Sequence, residues 1–245
     1  MDSMRPNIHF TIKLAGYLLS VSCFHERTKC YCKDFLGEGN PDFEIELSEE
    51  DLRKENEQAK DGHLYVDEEI SALYRKIADC LISKNIVVFH SSAVSIDGSA
   101  YLIAARSGTG KSTHAKYLQE LLGERFRYIN DDKPLLERRG DDFLIHSSPW
   151  NGKERRGENL SAPLKGILFL SRGEEPSCVK IPADDSLYFR LLSQIYLPYD
   201  KKGKEIALGI ADSLRKKIPF YEIKATLSRE SAERTYERIA LDETA

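Results

Sequence analysis

Between positions 8 and 32 the apolar residues come in short clusters rich in β-branched and aromatic side chains, which predicts two or three antiparallel strands with a turn near Glu26 to Thr28. Positions 37–61 turn polar and acidic, with Pro41 early and a charged run over 48–60, the pattern of a surface excursion with room for a short helix. The period then changes. Over 66–84, Ile70, Leu73, Tyr74, Ile77, Ala78, Leu81 and Ile82 recur at three-and-four spacing, so a helix with one buried face is expected. Asp67, Glu68 and Glu69 suit the positive N-terminal end of that helix.

Strand-like runs follow at 86–89, 91–96 and 101–104, the last two joined by Asp97-Gly98, a strong two-residue hairpin signal. Beyond them the pattern predicts a helix over 112–122, a strand over 126–129, and a hairpin over 134–146 that turns at Arg139 to Asp141. Strands are expected at 165–170, 178–181 and 220–223, and helices at 187–196, 205–216 and 229–241. This alternation reads as an α/β chain. A mixed-sheet core is expected over 86–245, with a β-rich and helical segment over 1–85 expected to pack on it.

A chain of 245 residues, 41% of them apolar, is long enough to bury a sizeable core. Thirty-six basic against forty acidic residues leave a net charge of −4, which argues against nucleic acid or an anionic membrane as a general partner. No stretch approaches the roughly 20 apolar residues of a membrane span, and the first residues lack the pattern of a signal peptide, so a soluble cytoplasmic protein is expected. The five cysteines are an odd number and do not read as a disulfide framework. Cys23, Cys30 and Cys32, with His25 between, lack the paired spacing of a zinc site and read as packing thiols.

The chemistry concentrates after the strand at 101–104. Ala105-Arg106-Ser107-Gly108-Thr109-Gly110-Lys111-Ser112 follows a strand and opens a helix, the context in which a Walker A phosphate-binding loop counts. Gly108 and Gly110 allow the backbone to curl so that the amides from Ser107 to Thr113 face phosphate oxygens, and the helix adds its positive end. Lys111 would reach the β and γ phosphates of ATP, and Ser112 would offer its hydroxyl to Mg2+. Ala105 stands where the motif has glycine, a change tolerated at negative φ.

About twenty residues later Asn130-Asp131-Asp132 falls at a strand end, where paired carboxylates suit a metal ligand and a general base. His90, about twenty residues before Lys111, is a candidate hydrogen-bonding partner of a carboxylate or phosphate. Within Ser147 to Arg156, Trp150, Lys153, Arg155 and Arg156 combine an aromatic platform with cations suited to an anionic substrate or the transferring phosphoryl group, and an exposed basic loop without such a role fits the same residues.

Over roughly 90–181 these residues resemble the HPr kinase/phosphorylase family, whose P-loop fold is shared with phosphoenolpyruvate carboxykinase. The likeness rests on His90, on Ser107 to Ser112, on Asp131 and Asp132, and on the Asn-Asp-Asp-Lys-Pro and Pro-Trp-Asn-Gly-Lys segments at 130–134 and 149–153. It looks nearest to the members of that group without an assigned substrate. The resemblance implies a mixed-sheet P-loop core that moves the γ-phosphoryl group of ATP to a hydroxyl of a peptide serine or small molecule. By the same likeness Asp131 would be the general base, Asp132 a metal ligand with Ser112, and His90 the residue orienting Asp131. Hexamers among the relatives leave self-association open. Thr113 stands where true HPr kinases carry an acid, and their later glycine-rich signature has no match here, which counts against HPr as substrate. Two other readings stand beside this one: an ATP sensor without turnover, and a carboxykinase, for which the chain is short.

Overall fold

In the computed structural model, which describes residues 5–58, 65–106, 108–152 and 154–243, Ile8–Leu14 (β1) and Tyr17–Cys23 (β2) form the expected antiparallel hairpin. Phe10, Ile12 and Leu14 of β1 and Leu19, Val21 and Cys23 of β2 are buried, as period-2 alternation requires. Ala15 and Gly16 close the turn at positive φ. The chain divides into two compact units, residues 1–83 and 84–245.

Two expectations for the first unit need correction. Residues 26–31 form a short helix, Glu26–Tyr31 (α1), where the pattern predicted a turn between strands. The cause is Glu69. Its fully buried carboxylate accepts from Phe24 N (2.9 Å), His25 N (3.2 Å), His25 Nδ1 (2.9 Å) and Thr28 Oγ1, which diverts the backbone out of the β2 ladder. Glu69 lies in the expected helix, Tyr65–Leu81 (α3), so this acid serves another element rather than its own helix end. The second correction is Phe43–Glu46 (β3), a strand parallel to β2 inside the expected excursion. Helix Glu49–Gln58 (α2) completes the described part of that stretch, and the end of the charged run at Lys60 lies outside the described residues. Burial and the nearby Glu69 push the Cys23 thiol up to about 12, and Cys30 is exposed. Among the described residues no cluster of His, Cys, Asp and Glu is arranged to hold a metal, and no helix is long and apolar enough to cross a membrane.

The second unit is a mixed α/β layer structure. Its sheet holds nine strands among the described residues: Ile86–Val88 (β4), Ser92–Ile96 (β5), Ser99–Ala104 (β6), Phe126–Asn130 (β7), Leu135–Arg139 (β8), Asp142–His146 (β9), Ser161–Arg172 (β10), Ser177–Ile181 (β11) and Phe220–Ala225 (β12). The main run is β11-β12-β10-β6-β5-β7. The first residues of β10, Ser161 to Pro163, pair antiparallel with β9, which continues through β8 to β4. The later part of β10 lies parallel to β6 and β12. The β5–β6 hairpin turns at Asp97 and Gly98, both at positive φ, as the Asp-Gly pair predicts.

Topology decides where the chemistry falls. β5 runs antiparallel to both β6 and β7, so β6 and β7 point the same way. Their C-terminal ends share one sheet edge with the ends of β10 and β12 and with the start of β5. Helices Lys111–Leu122 (α4) and Arg229–Glu243 (α7) cover one face, with Ala115, Leu118, Leu122, Ala232 and Ile239 packed on Val94, Ile103, Tyr128, Leu168 and Ile223. Asp185–Leu192 (α5) and Lys201–Lys217 (α6) pack against each other, each started by an aspartate cap: Asp184 accepts from Leu187 N and Asp200 from Gly203 N.

Candidate active site

β6 is almost wholly buried, and its last residue leads straight into the glycine-rich loop. Ser107 lies outside the described residues, but the loop on either side of it is defined. Gly108 sits at φ +76° and Gly110 at +117°, conformations that suit glycine. A Cβ on Gly110 would collide with the Leu227 side chain, which follows β12 and packs against the loop. Ala105 is absent from the positive-φ residues, so alanine stands there without strain. Gly110 caps α4 without a side chain, and no acid lies in the first turn. The first amides of α4 are therefore left without a side-chain cap, as an anion cradle requires.

Lys111 folds back across the loop and donates to Ala105 O at 3.2 Å. Burial lowers its pKa, opposed by the negative charges of Asp132 and Asp131. The lysine therefore senses both carboxylates although twenty residues separate them in sequence. From the end of β10, Arg172 donates Nη2 to Gly108 O (3.1 Å) and Nε to Thr109 O (3.4 Å), bracing the outer side of the loop. Ser112 is half-buried and Thr113 exposed in the first turn of α4.

The aspartates are held from β7. Asn130 is fully buried; its Nδ2 donates to Ser148 O and Ser148 Oγ, both at 3.1 Å. Its Oδ1 accepts from Asp132 N (2.9 Å) and Lys133 N (2.7 Å), the side-chain turn that reverses the backbone after the strand. Ser148 Oγ donates to Lys133 O at 2.6 Å, closing the network. Asp131 N donates to Asn151 Oδ1 at 3.1 Å, and Gly152 N donates to Asp131 Oδ1. Ser92 Oγ donates to Asp131 O (3.2 Å) and Ser91 N to Asp132 O (3.0 Å), fastening the turn to the start of β5.

The two carboxylates are pushed in opposite directions. Burial, with the negative charge of Asp132 beside it, raises Asp131 above its ordinary value despite the Gly152 amide. For Asp132 burial also favours the neutral form, but the His90 hydrogen bond and the Lys133 charge outweigh it and hold the carboxyl down at about 2. Lys133 Nζ lies 2.8 Å from Asp132 Oδ2 and His90 Nε2 lies 3.4 Å from Asp132 Oδ1. His90 thus pairs with Asp132, not with Asp131 as the family likeness implied. The short link from His90 to β5 explains this. His90 N donates to Gln194 O (2.7 Å) and the next amide, that of Ser91, to Asp132 O, so the imidazole is delivered to the second acid. One neighbouring carboxylate with a raised pKa and one with a lowered pKa is the arrangement that separates a proton acceptor from a permanent anion.

The segment 147–156 differs most from expectation. Trp150 is 4% exposed and belongs to the packed interior, so it offers no open platform. Lys153 lies outside the described residues. Arg155 sits at φ +46°. Arg156 donates to Glu154 and to Tyr128 OH (3.2 Å), with its guanidinium carbon 5.7 Å from the Tyr128 ring centre. Its charge nevertheless acts on Asp131, favouring the ionised form. The segment's other contribution is backing: Ser148, Asn151 and Gly152 build the seat of Asp131. Sequence reasoning singled out the Pro-Trp-Asn-Gly-Lys string but assigned its work to the aromatic ring and the cations. Arg172 and Leu227 carried no motif signal.

Among solved structures the chain is similar to the Hpr(Ser) kinase/phosphatase from Coxiella burnetii. The TM-score is 0.40 at 11% sequence identity, over 64% of this chain and 99% of that one. No family model and no curated protein matches the chain.

Clefts flank the sheet among the described residues. One of about 680 Å³ lies beside the loop and is bordered by Arg106, Arg172 and Arg190. A larger one of about 940 Å³ touches the opposite ends of the strands, at Ser99, Asp142 and Pro219, and is lined by neither the glycine-rich loop nor the two aspartates. Size alone would favour the second, but the glycine-rich loop, through Arg106, Gly108 and Thr109, borders the first and not the second.

Proposed function

We propose that the protein is a kinase that moves the γ-phosphoryl group of ATP to a hydroxyl. One observation carries the reading: the Gly-Lys-Ser turn after β6 meets a pair of oppositely tuned aspartates after β7, with Lys111 under the influence of both. The loop amides and the start of α4 would hold the phosphates, and Lys111 would oppose the charge that spreads over the transferring group.

Ser112 and Asp132 fit magnesium by chemistry, since both are hard oxygen donors and Asp132 is held ionised. They are too few to form a site alone, so phosphate oxygens and water would complete the shell. A bound magnesium ion would neutralise phosphate charge. Asp131 would accept the proton of the attacking hydroxyl while the new oxygen–phosphorus bond forms and the bond to the ADP leaving oxygen breaks. His90 and Lys133 keep Asp132 charged throughout.

The test is label transfer from γ-labelled ATP, with magnesium, to serine peptides, free serine and polyols. Asp131→Asn should bind ATP normally and transfer nothing measurable. In the native protein transfer should rise with pH through the raised pKa of Asp131. Asp132, held down at about 2, adds no second rise in the range where Asp131 titrates. Undiminished transfer by Asp131→Asn would remove the base assignment, and ATP binding without transfer to any acceptor would favour a sensor.

A further inference from the structure

The cleft beside the loop carries guanidinium charge to which the proposed catalytic steps assign no role. Its lining contains three arginines and no carboxylate, in a chain whose net charge is −4. Arg106 is exposed on the loop itself. Arg172 spends two donors on the loop carbonyls and keeps its remaining N–H groups for other acceptors. Arg190, from α5, lies with its guanidinium carbon 4.1 Å from the centre of the Phe169 ring, and Glu222 is a half-exposed partner at 3.3 Å. Stacking fixes the plane of that guanidinium without consuming its outward donors.

The cleft also has a direction. Its wall continues through Ser193 to Gln194, whose carbonyl accepts from His90 N, and the His90 side chain faces Asp132. A ligand with its anionic end among the arginines would extend along this wall toward His90 and, through it, toward Asp132. A neutral base would find one face of Phe169 already covered by Arg190, whereas an oxyanion would find three guanidinium groups, with Glu222 and Asp184 the counter-charges near Arg190.

We infer that this cleft takes the phosphoryl acceptor and that the acceptor carries carboxylates close to its hydroxyl. The inference rests on the kinase reading and deepens it. Two fluorescent serine peptides, one flanked by glutamates and one by glutamines, would be titrated by anisotropy into protein saturated with magnesium and a non-hydrolysable ATP analogue. The acidic peptide should bind about tenfold tighter, and Arg190→Gln and Arg106→Gln should each cut that preference roughly five-fold. Arg106 is exposed, so its replacement does not threaten the fold. Malate as competitor tells a small hydroxy acid, which displaces the peptide, from a peptide acceptor, which resists it. Equal affinity for the two peptides, or a preference that survives both substitutions, overturns the inference. Affinity for the ATP analogue is read in the same samples, so failure of the kinase reading would appear there while the acid preference is judged separately.

Discussion

Gly152→Ala isolates the seat of Asp131 from every other part of the site. Gly152 is not at positive φ, so alanine brings no backbone strain, and its amide can still donate. The added Cβ would stand 2.7 Å from Asp131 Oδ1 and 3.0 Å from Cγ and Oδ2. Ordinary carbon–oxygen contact needs roughly half an ångström more, and Asn151, which binds the Asp131 amide, limits retreat of the backbone. The carboxylate must therefore swing by about half an ångström. A displacement of about 1 Å at a reacting centre costs on the order of 100-fold, so transfer should fall about 10- to 30-fold, or roughly 1.4–2 kcal/mol of barrier. ATP affinity should hold within about twofold, because the loop is untouched, and the melting temperature should fall by only a few degrees. Label transfer, nucleotide titration and thermal melting measure the three quantities. Transfer within twofold of native would refute the idea that the 148–152 backing positions the base, and equal losses in transfer and ATP affinity would place the effect in the loop instead.

Two further outcomes concern stability. His114 in α4 is fully buried, its Nε2 3.1 Å from Thr235 Oγ1, and burial pushes its pKa down from 6.5 to about 4. The unfolded chain takes the proton first, so stability should decline as pH falls from 6.5 and level off below about 4, by up to about 3 kcal/mol. Melting temperature against pH should lose this limb in His114→Gln; an unchanged profile would refute it. Glu69→Ala strands four donors at the β2–α1 junction and should cost about 3 kcal/mol, with faster hydrogen exchange at residues 24–31. Exchange as slow as native there would contradict the role given to Glu69.

Local pattern was enough for much of this protein. The β1–β2 pair, α3, the β5–β6 hairpin and the strand-loop-helix at 99–122 were all legible because each is set by neighbours in sequence: alternation, three-and-four spacing, an Asp-Gly turn, glycines before a helix. β3 was legible in principle, since Phe43, Ile45 and Leu47 alternate with Glu44 and Glu46, but the surrounding acids hid it. The acids and the lysine of the candidate site were likewise visible as residue types at strand ends.

What only the tertiary structure decided were matters of partnership. That α1 replaces a turn depends on Glu69, more than forty residues away. That His90 serves Asp132, that Trp150 is interior while Asn151 and Gly152 hold Asp131, and that Arg172 braces the loop all follow from which strand ends share an edge. Sheet order is set by long-range pairing, and the shifts that tune Asp131 and Asp132 in opposite directions come from burial and neighbours that the order creates. A sequence records which groups are present, but two adjacent aspartates become chemically different only when folding gives them different surroundings.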